Sequence, residues 1–84
     1  MKEITIDCTG LANGVALHNL LAKSLDFPGH YGRNLDALYD CLTEISQETH
    51  ITVFGLDALD FSEGFRNTML DAERDNFWLH ISIE

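Results

Sequence analysis

The chain is 84 residues long and 45% hydrophobic, enough for one domain with one packed core over residues 1–84 and too little for a second. Its 14 acidic residues against 5 Lys plus Arg give a formal net charge of -9, a field that repels nucleic-acid phosphates and attracts a basic partner instead. An acidic start from Met1 to Asp7, no run near the ~20 apolar residues that span a bilayer, and two cysteines without CxxC spacing (Cys8 and Cys41) predict a soluble, cytoplasmic protein with no disulfide framework and no membrane contact.

Ile4 and Ile6 alternate with polar neighbours and predict a strand near residues 2 to 7, broken by Thr9-Gly10. Leu17, Leu20, Leu21 and Leu25 recur at helical spacing, predicting a first helix that ends near Asp26. Pro28-Gly29-His30-Tyr31-Gly32-Arg33 reads as a loop, and Asn34 as the N-cap of a second helix running to about Ser46. Ile51-Thr52-Val53-Phe54 predicts a strand closed by Gly55, and Phe61, Phe65, Met69 and Ala72 mark the apolar stripe of a third helix. Phe77, Leu79, Ile81 and Ile83 alternate with Trp78, His80 and Ser82, predicting a last strand. Helical connections between successive strands point to an α/β fold, a small three-stranded parallel sheet packed against helices. That last alternation suggests that one sheet face is only partly covered, and the pattern does not decide the strand order.

The second helix carries the most information. At about 100° per residue, Leu35, Leu38, Leu42 and Ile45 share one narrow arc that must face the core. Asp36, Asp40, Glu44 and Glu48 recur four apart beside it, with Tyr39 and Thr43 at the border. Such a stripe can be a solvated face, with Asp36 complementing the helix dipole. Asp40 lies too far along the helix for that. No Lys or Arg occurs between Arg33 and Arg66, and an aromatic beside polar groups is typical of interface anchors. The face is expected to dock a protein.

Leu17-His18, Phe27-Pro28, Tyr31-Gly32 and the run from Asn34-Leu35-Asp36-Ala37-Leu38-Tyr39-Asp40 to Cys41-Leu42-Thr43 resemble the barstar family, inhibitors of ribonucleases such as barnase. The resemblance implies a parallel three-stranded sheet against helices, with the loop and second helix plugging a nuclease active site. It gives Asp40 the role of chief acidic contact, in the nuclease's phosphate site, and Asp36 that of a second. Thr43 matches an interface residue of the same helix, His30 an interface aromatic, and Tyr31 the tyrosine after it. Asp71 falls near an acidic contact on the third helix. Tyr39, Glu44 and Ile45 depart from the pattern, standing where the family has tryptophan, glycine and tryptophan, and Arg33 puts a positive charge into a loop that is acidic in the family's namesake. The candidate partner-binding residues are His30, Tyr31, Asn34, Asp36, Tyr39, Asp40, Thr43, Glu44 and Asp71. The implied partner is a basic microbial ribonuclease in a 1:1 complex, with the chain itself no enzyme.

Other constellations are weaker. His18, His30, His50 and His80 lack the paired spacing of a metal site, so neither metal nor cofactor is expected. Asp36 and Asp40, one turn apart on an exposed helix without a cleft, make a poor acid–base pair. Cys41 reads as a small packing residue. An acyl-carrier-like protein would need an Asp-Ser-Leu context at a helix start, whereas Ser24-Leu25 follows Lys23 near a helix end. An immunity protein against a delivered toxin nuclease would keep the same fold and surface.

Overall fold

The computed structural model describes residues 1–84. Three parallel strands, β1 (Lys2–Asp7), β2 (Thr49–Phe54) and β3 (Leu79–Ile83), lie in the order β1-β2-β3. The pairing runs from Lys2 opposite Thr49 to Asp7 opposite Phe54, and from Thr49 opposite Leu79 to Val53 opposite Ile83. Helices α1 (Gly14–Leu25) and α2 (Leu35–Thr43) connect the first two strands; a 3-10 turn at Leu56–Ala58 and α3 (Ser62–Asp75) connect the last two. No helix is long and apolar enough to cross a membrane.

The strand order explains the partly covered face. Right-handed crossovers that step twice in the same direction must leave both helical connections on one side of the sheet. That side receives Ile6, Ile51, Val53 and Leu79, which are buried against Leu17, Leu21, Leu38, Leu42, Phe65 and Met69. The other side stays open, unlike most parallel sheets. There His50 bridges all three strands, its Nδ1 at 3.1 Å from Glu3 Oε1 and its Nε2 at 2.8 Å from Ser82 Oγ. The outer edge of β3 is blunted where the Ile81 N–H donates to the Glu73 carboxylate of α3.

Helix starts follow the capping residues. The Asn13 side chain accepts from the Ala16 N–H and the Asn34 side chain from the Ala37 N–H. Gly64 lets α3 approach the start of α2, because a Cβ there would stand 2.7 Å from Leu35 Cδ1.

Two boundaries differ from the sequence reading. Helix α2 stops at Thr43 rather than Ser46: Glu44 is its C-cap and Glu48 lies in the turn before β2. The Thr43 hydroxyl donates back to the Tyr39 and Asp40 carbonyls, and Asn76 takes the Leu42 and Ile45 carbonyls, so the last turn is satisfied without further helix. The last strand begins at Leu79 rather than Phe77, because the Asn76 side chain accepts from the Trp78 N–H and bends the chain there. Phe77 is left 83% exposed and Trp78 42% exposed. Ser24 lies in the last turn of α1 in a mixed α/β fold, which removes the all-helical context that a carrier serine needs.

Candidate functional site

The loop before α2 is built from its own residues inward. Phe27 packs on Tyr31 with ring centroids 4.9 Å apart, and the Tyr31 N–H donates to the Pro28 carbonyl. Tyr31 is only 5% exposed, and its hydroxyl shares a 2.6 Å hydrogen bond with His18 Nδ1 on α1. Burial pushes the His18 pKa down, helped by Arg33, and burial likewise raises the Tyr31 phenol to about 12. Both groups are therefore neutral at neutral pH, and the pair is satisfied when the Tyr31 hydroxyl donates to Nδ1. Gly32 follows with little room for a side chain, since a Cβ would stand 3.1 Å from Asn34 Nδ2.

Arg33 adopts φ 52°, the left-handed region that costs a residue with a side chain roughly 1–2 kcal/mol. Its side chain compensates by donating through Nε to Asn19 Oδ1 (2.7 Å) and through a terminal nitrogen to the Tyr31 carbonyl (3.2 Å). The positive charge is thus turned back towards α1. Asn34 completes the loop, donating to the Gly32 carbonyl at 3.3 Å while capping α2.

The neutral His18 makes the anchor pH-dependent. Its folded pKa lies below the unfolded value of about 6.5, so the stability it contributes is full above that pH. It is lost as pH falls from about 6.5 through the folded pKa, because the unfolded chain takes up a proton that the core resists. Denaturant midpoints compared between wild type and His18→Gln from pH 7.5 to 5 should converge as pH falls. A constant difference would mean that His18 is not buried in its neutral form.

Between this loop and α2 runs a groove of about 230 Å³ lined by Pro28, His30, Tyr31, Gly32, Ala37, Asp40, Cys41 and Glu44. A second recess of about 160 Å³ continues it past Pro28, Cys41 and Glu44 towards Phe27 and Ile45. Asp36, Asp40 and Glu44 are exposed along this side. The ion pairs of the chain lie elsewhere, at Asp57–Arg66 and at Arg74 with Asp71 and Asp75, so these three carboxylates carry uncompensated charge. A larger recess of about 300 Å³ lies at the other end of α2 beside Lys2, Ser46 and Gln47. It mixes Lys2 with Glu44 and lacks the single sign of the groove.

The predicted residues separate into groups. His30, Asp40 and Glu44 meet at the groove, with Asp36 a turn away near the start of α2. Asn34 and Tyr31 shape the surface from within, one as cap and the other as buried anchor. The Thr43 hydroxyl is occupied by helix carbonyls. Tyr39 points to α3, its hydroxyl donating to Asp75, and that bond is the chief cause of a raised phenol pKa. Asp71 lies in the same cluster, paired at 3.4 Å with Arg74.

Five residues of this surface are not among the candidates read from the sequence: Asp75 and Arg74 on α3, and Pro28, Ala37 and Cys41, which line the groove but read in the sequence only as motif or packing residues. Asp71 and Asp75 stand four apart on a helix, a visible spacing, but nothing local says that α3 brings them to Tyr39. At Asp75, the Arg74 guanidinium and the Tyr39 hydroxyl hold the carboxyl below its ordinary pKa.

Comparison with known proteins finds a family model described as Barstar (barnase inhibitor), matching residues 1–77. The "Putative ribonuclease inhibitor YrdF" of Bacillus subtilis (strain 168) is 56% identical over 43 residues, covering 51% of this chain and 47% of that protein. The match thus spans about half the length of that relative.

Proposed function

The chain belongs to the barstar family, and on that footing we propose that it inhibits a basic microbial ribonuclease by plugging its active site, one to one, with the loop–α2 surface. The observation that carries this reading is the uncompensated row Asp36, Asp40 and Glu44 beside the groove. A nuclease must hold RNA phosphates, so its cleft presents Lys, Arg or protonated His. Carboxylates on a capped helix can take the phosphate positions through charge-assisted hydrogen bonds. Asp40 and His30 at the groove would enter the cleft, while Asp36 and Glu44 extend the negative edge. The net charge of -9 draws the partner in before contact.

The test is inhibition of RNA cleavage by basic microbial ribonucleases, barnase first, titrated to an equivalence point. Saturation at one inhibitor per enzyme is expected. Association should slow by about tenfold or more between low salt and 0.3 M, since charges are screened beyond about 10 Å at 0.1 M, a behaviour whose standard example is barnase with barstar itself. Dissociation should change less. Failure to inhibit any such nuclease would overturn the reading, and a salt-independent association rate would remove steering from it.

A further inference from the structure

Arg74 occupies the α3 edge of the acidic surface in the way that a partner's arginine would. Its Nε and one terminal nitrogen donate to the two carboxylate oxygens of Asp75, at 3.1 and 3.2 Å, and the other donates to Asp71 at 3.4 Å. This two-pronged grip is the geometry by which a guanidinium recognises a carboxylate across an interface. Asp75 also accepts from the Tyr39 hydroxyl, so both its oxygens are engaged within the chain. The surface therefore has two parts. Along α2 three carboxylates stand without a cation, whereas on α3 two carboxylates share one.

We propose that Arg74 is a specificity-determining residue, an internal stand-in for a partner's arginine that closes the α3 edge and directs basic ligands to α2 and the loop; as a statement about ribonucleases this rests on the inhibitor reading. The cluster is open to solvent, with side chains 69% exposed at Arg74, 55% at Asp71 and 36% at Asp75. Such surface pairs are individually weak, so the tie can be broken. Breaking it brings little, because an arriving arginine only replaces one that is present and meets its charge as well. A nuclease whose cations face α2 loses nothing, while one that relies on a cation opposite α3 is disfavoured. Selectivity of this kind comes from a repulsive element.

The experiment compares wild type, Arg74→Ala and Arg66→Ala. Arg66 is on the same helix, also in an exposed pair, with Asp57, and its loss changes the net charge equally. Hexa-arginine serves as a probe that needs no knowledge of the natural nuclease, and NMR shifts map where it binds. In wild type the shifts should gather at Asp36, Asp40, Glu44 and the loop. In Arg74→Ala they should spread to Asp71 and Asp75, with affinity rising about two- to fivefold, the range that one exposed pair supplies. Arg66→Ala should keep the wild-type map. Wild-type shifts already strong at Asp71 and Asp75, or an Arg74→Ala map identical to that of Arg66→Ala, would overturn the proposal. Barnase inhibition is measured in parallel. If no ribonuclease is inhibited while the peptide map changes as expected, the inhibitor reading falls and the closed α3 edge stands.

Discussion

Asp40→Ala should weaken ribonuclease inhibition by about 2–5 kcal/mol, the range for truncating one partner of a buried charge contact, which the barnase–barstar pair itself helped to establish. Glu48→Ala, which removes the same charge, should cost well under 1 kcal/mol. The contrast follows from position. Asp40 lies on the wall of the groove between loop and α2, where the proposed partner would exclude water. Glu48 lies in the exposed turn before β2, and its structural contribution is a backbone carbonyl that accepts from the Lys2 N–H. That carbonyl survives substitution. Neither carboxylate takes part in an ion pair, so both variants should melt close to wild type. Inhibition constants and melting temperatures for the two variants check this. Equal losses would mean that the carboxylates act only as a diffuse field.

The largest effect on stability is expected at Asn76. It is buried between α3 and β3, and its amide donates to the Leu42 carbonyl at 2.9 Å and the Ile45 carbonyl at 3.0 Å. Its own carbonyl accepts from the Trp78 N–H at 2.9 Å. One side chain thus ends α2, starts the turn into β3 and joins the two. Asn76→Ala leaves the Ile45 carbonyl and the Trp78 N–H without partners, and leaves the Leu42 carbonyl with only the long 3.4 Å bond from the Ile45 N–H. With about 1–3 kcal/mol for each buried group left unpaired, and some relief by water, the loss should come to about 2–4 kcal/mol. In a domain of this size that lowers Tm on the order of 10 °C or more. Asn76→Asp keeps the size and the bond from Trp78 but loses both donors, so it should fall with Asn76→Ala. Removing the α2 N-cap with Asn34→Ala should cost only about 1 kcal/mol. An Asn76→Asp protein as stable as wild type would show that the carbonyls are satisfied otherwise. The link to the proposed function would be geometric, since Asn76 fixes the end of α2 at which Glu44 stands as C-cap.

Much of this was legible in the chain alone. The elements, their order and the core arc of α2 follow from periodicity, because burial of one face forces apolar residues to recur at 3.6 or 2. Leu38 and Leu42 are indeed buried, and Leu35 and Ile45 pack against the core. The acidic face was legible for the same reason, since four-residue spacing aligns Asp36, Asp40 and Glu44 whatever the rest of the fold does. What depended on contacts between distant residues was not. The strand order β1-β2-β3, and with it the open sheet face, rests on pairings between strands more than twenty residues apart in the chain. Helix α2 ends at Thr43 where Asn76, 34 residues away from Leu42, donates its amide to the Leu42 carbonyl, and no local pattern encodes that bond. Tyr31, a partner-binding candidate by motif, lines the groove yet is 5% exposed, since His18 offers a buried partner for its hydroxyl. Tyr39 borders the acidic stripe in either view, but only packing of α2 on α3 places it on Asp75 beside Arg74. Local spacing decides which residues share a face. The tertiary structure decides which of their charges are already answered from within the chain.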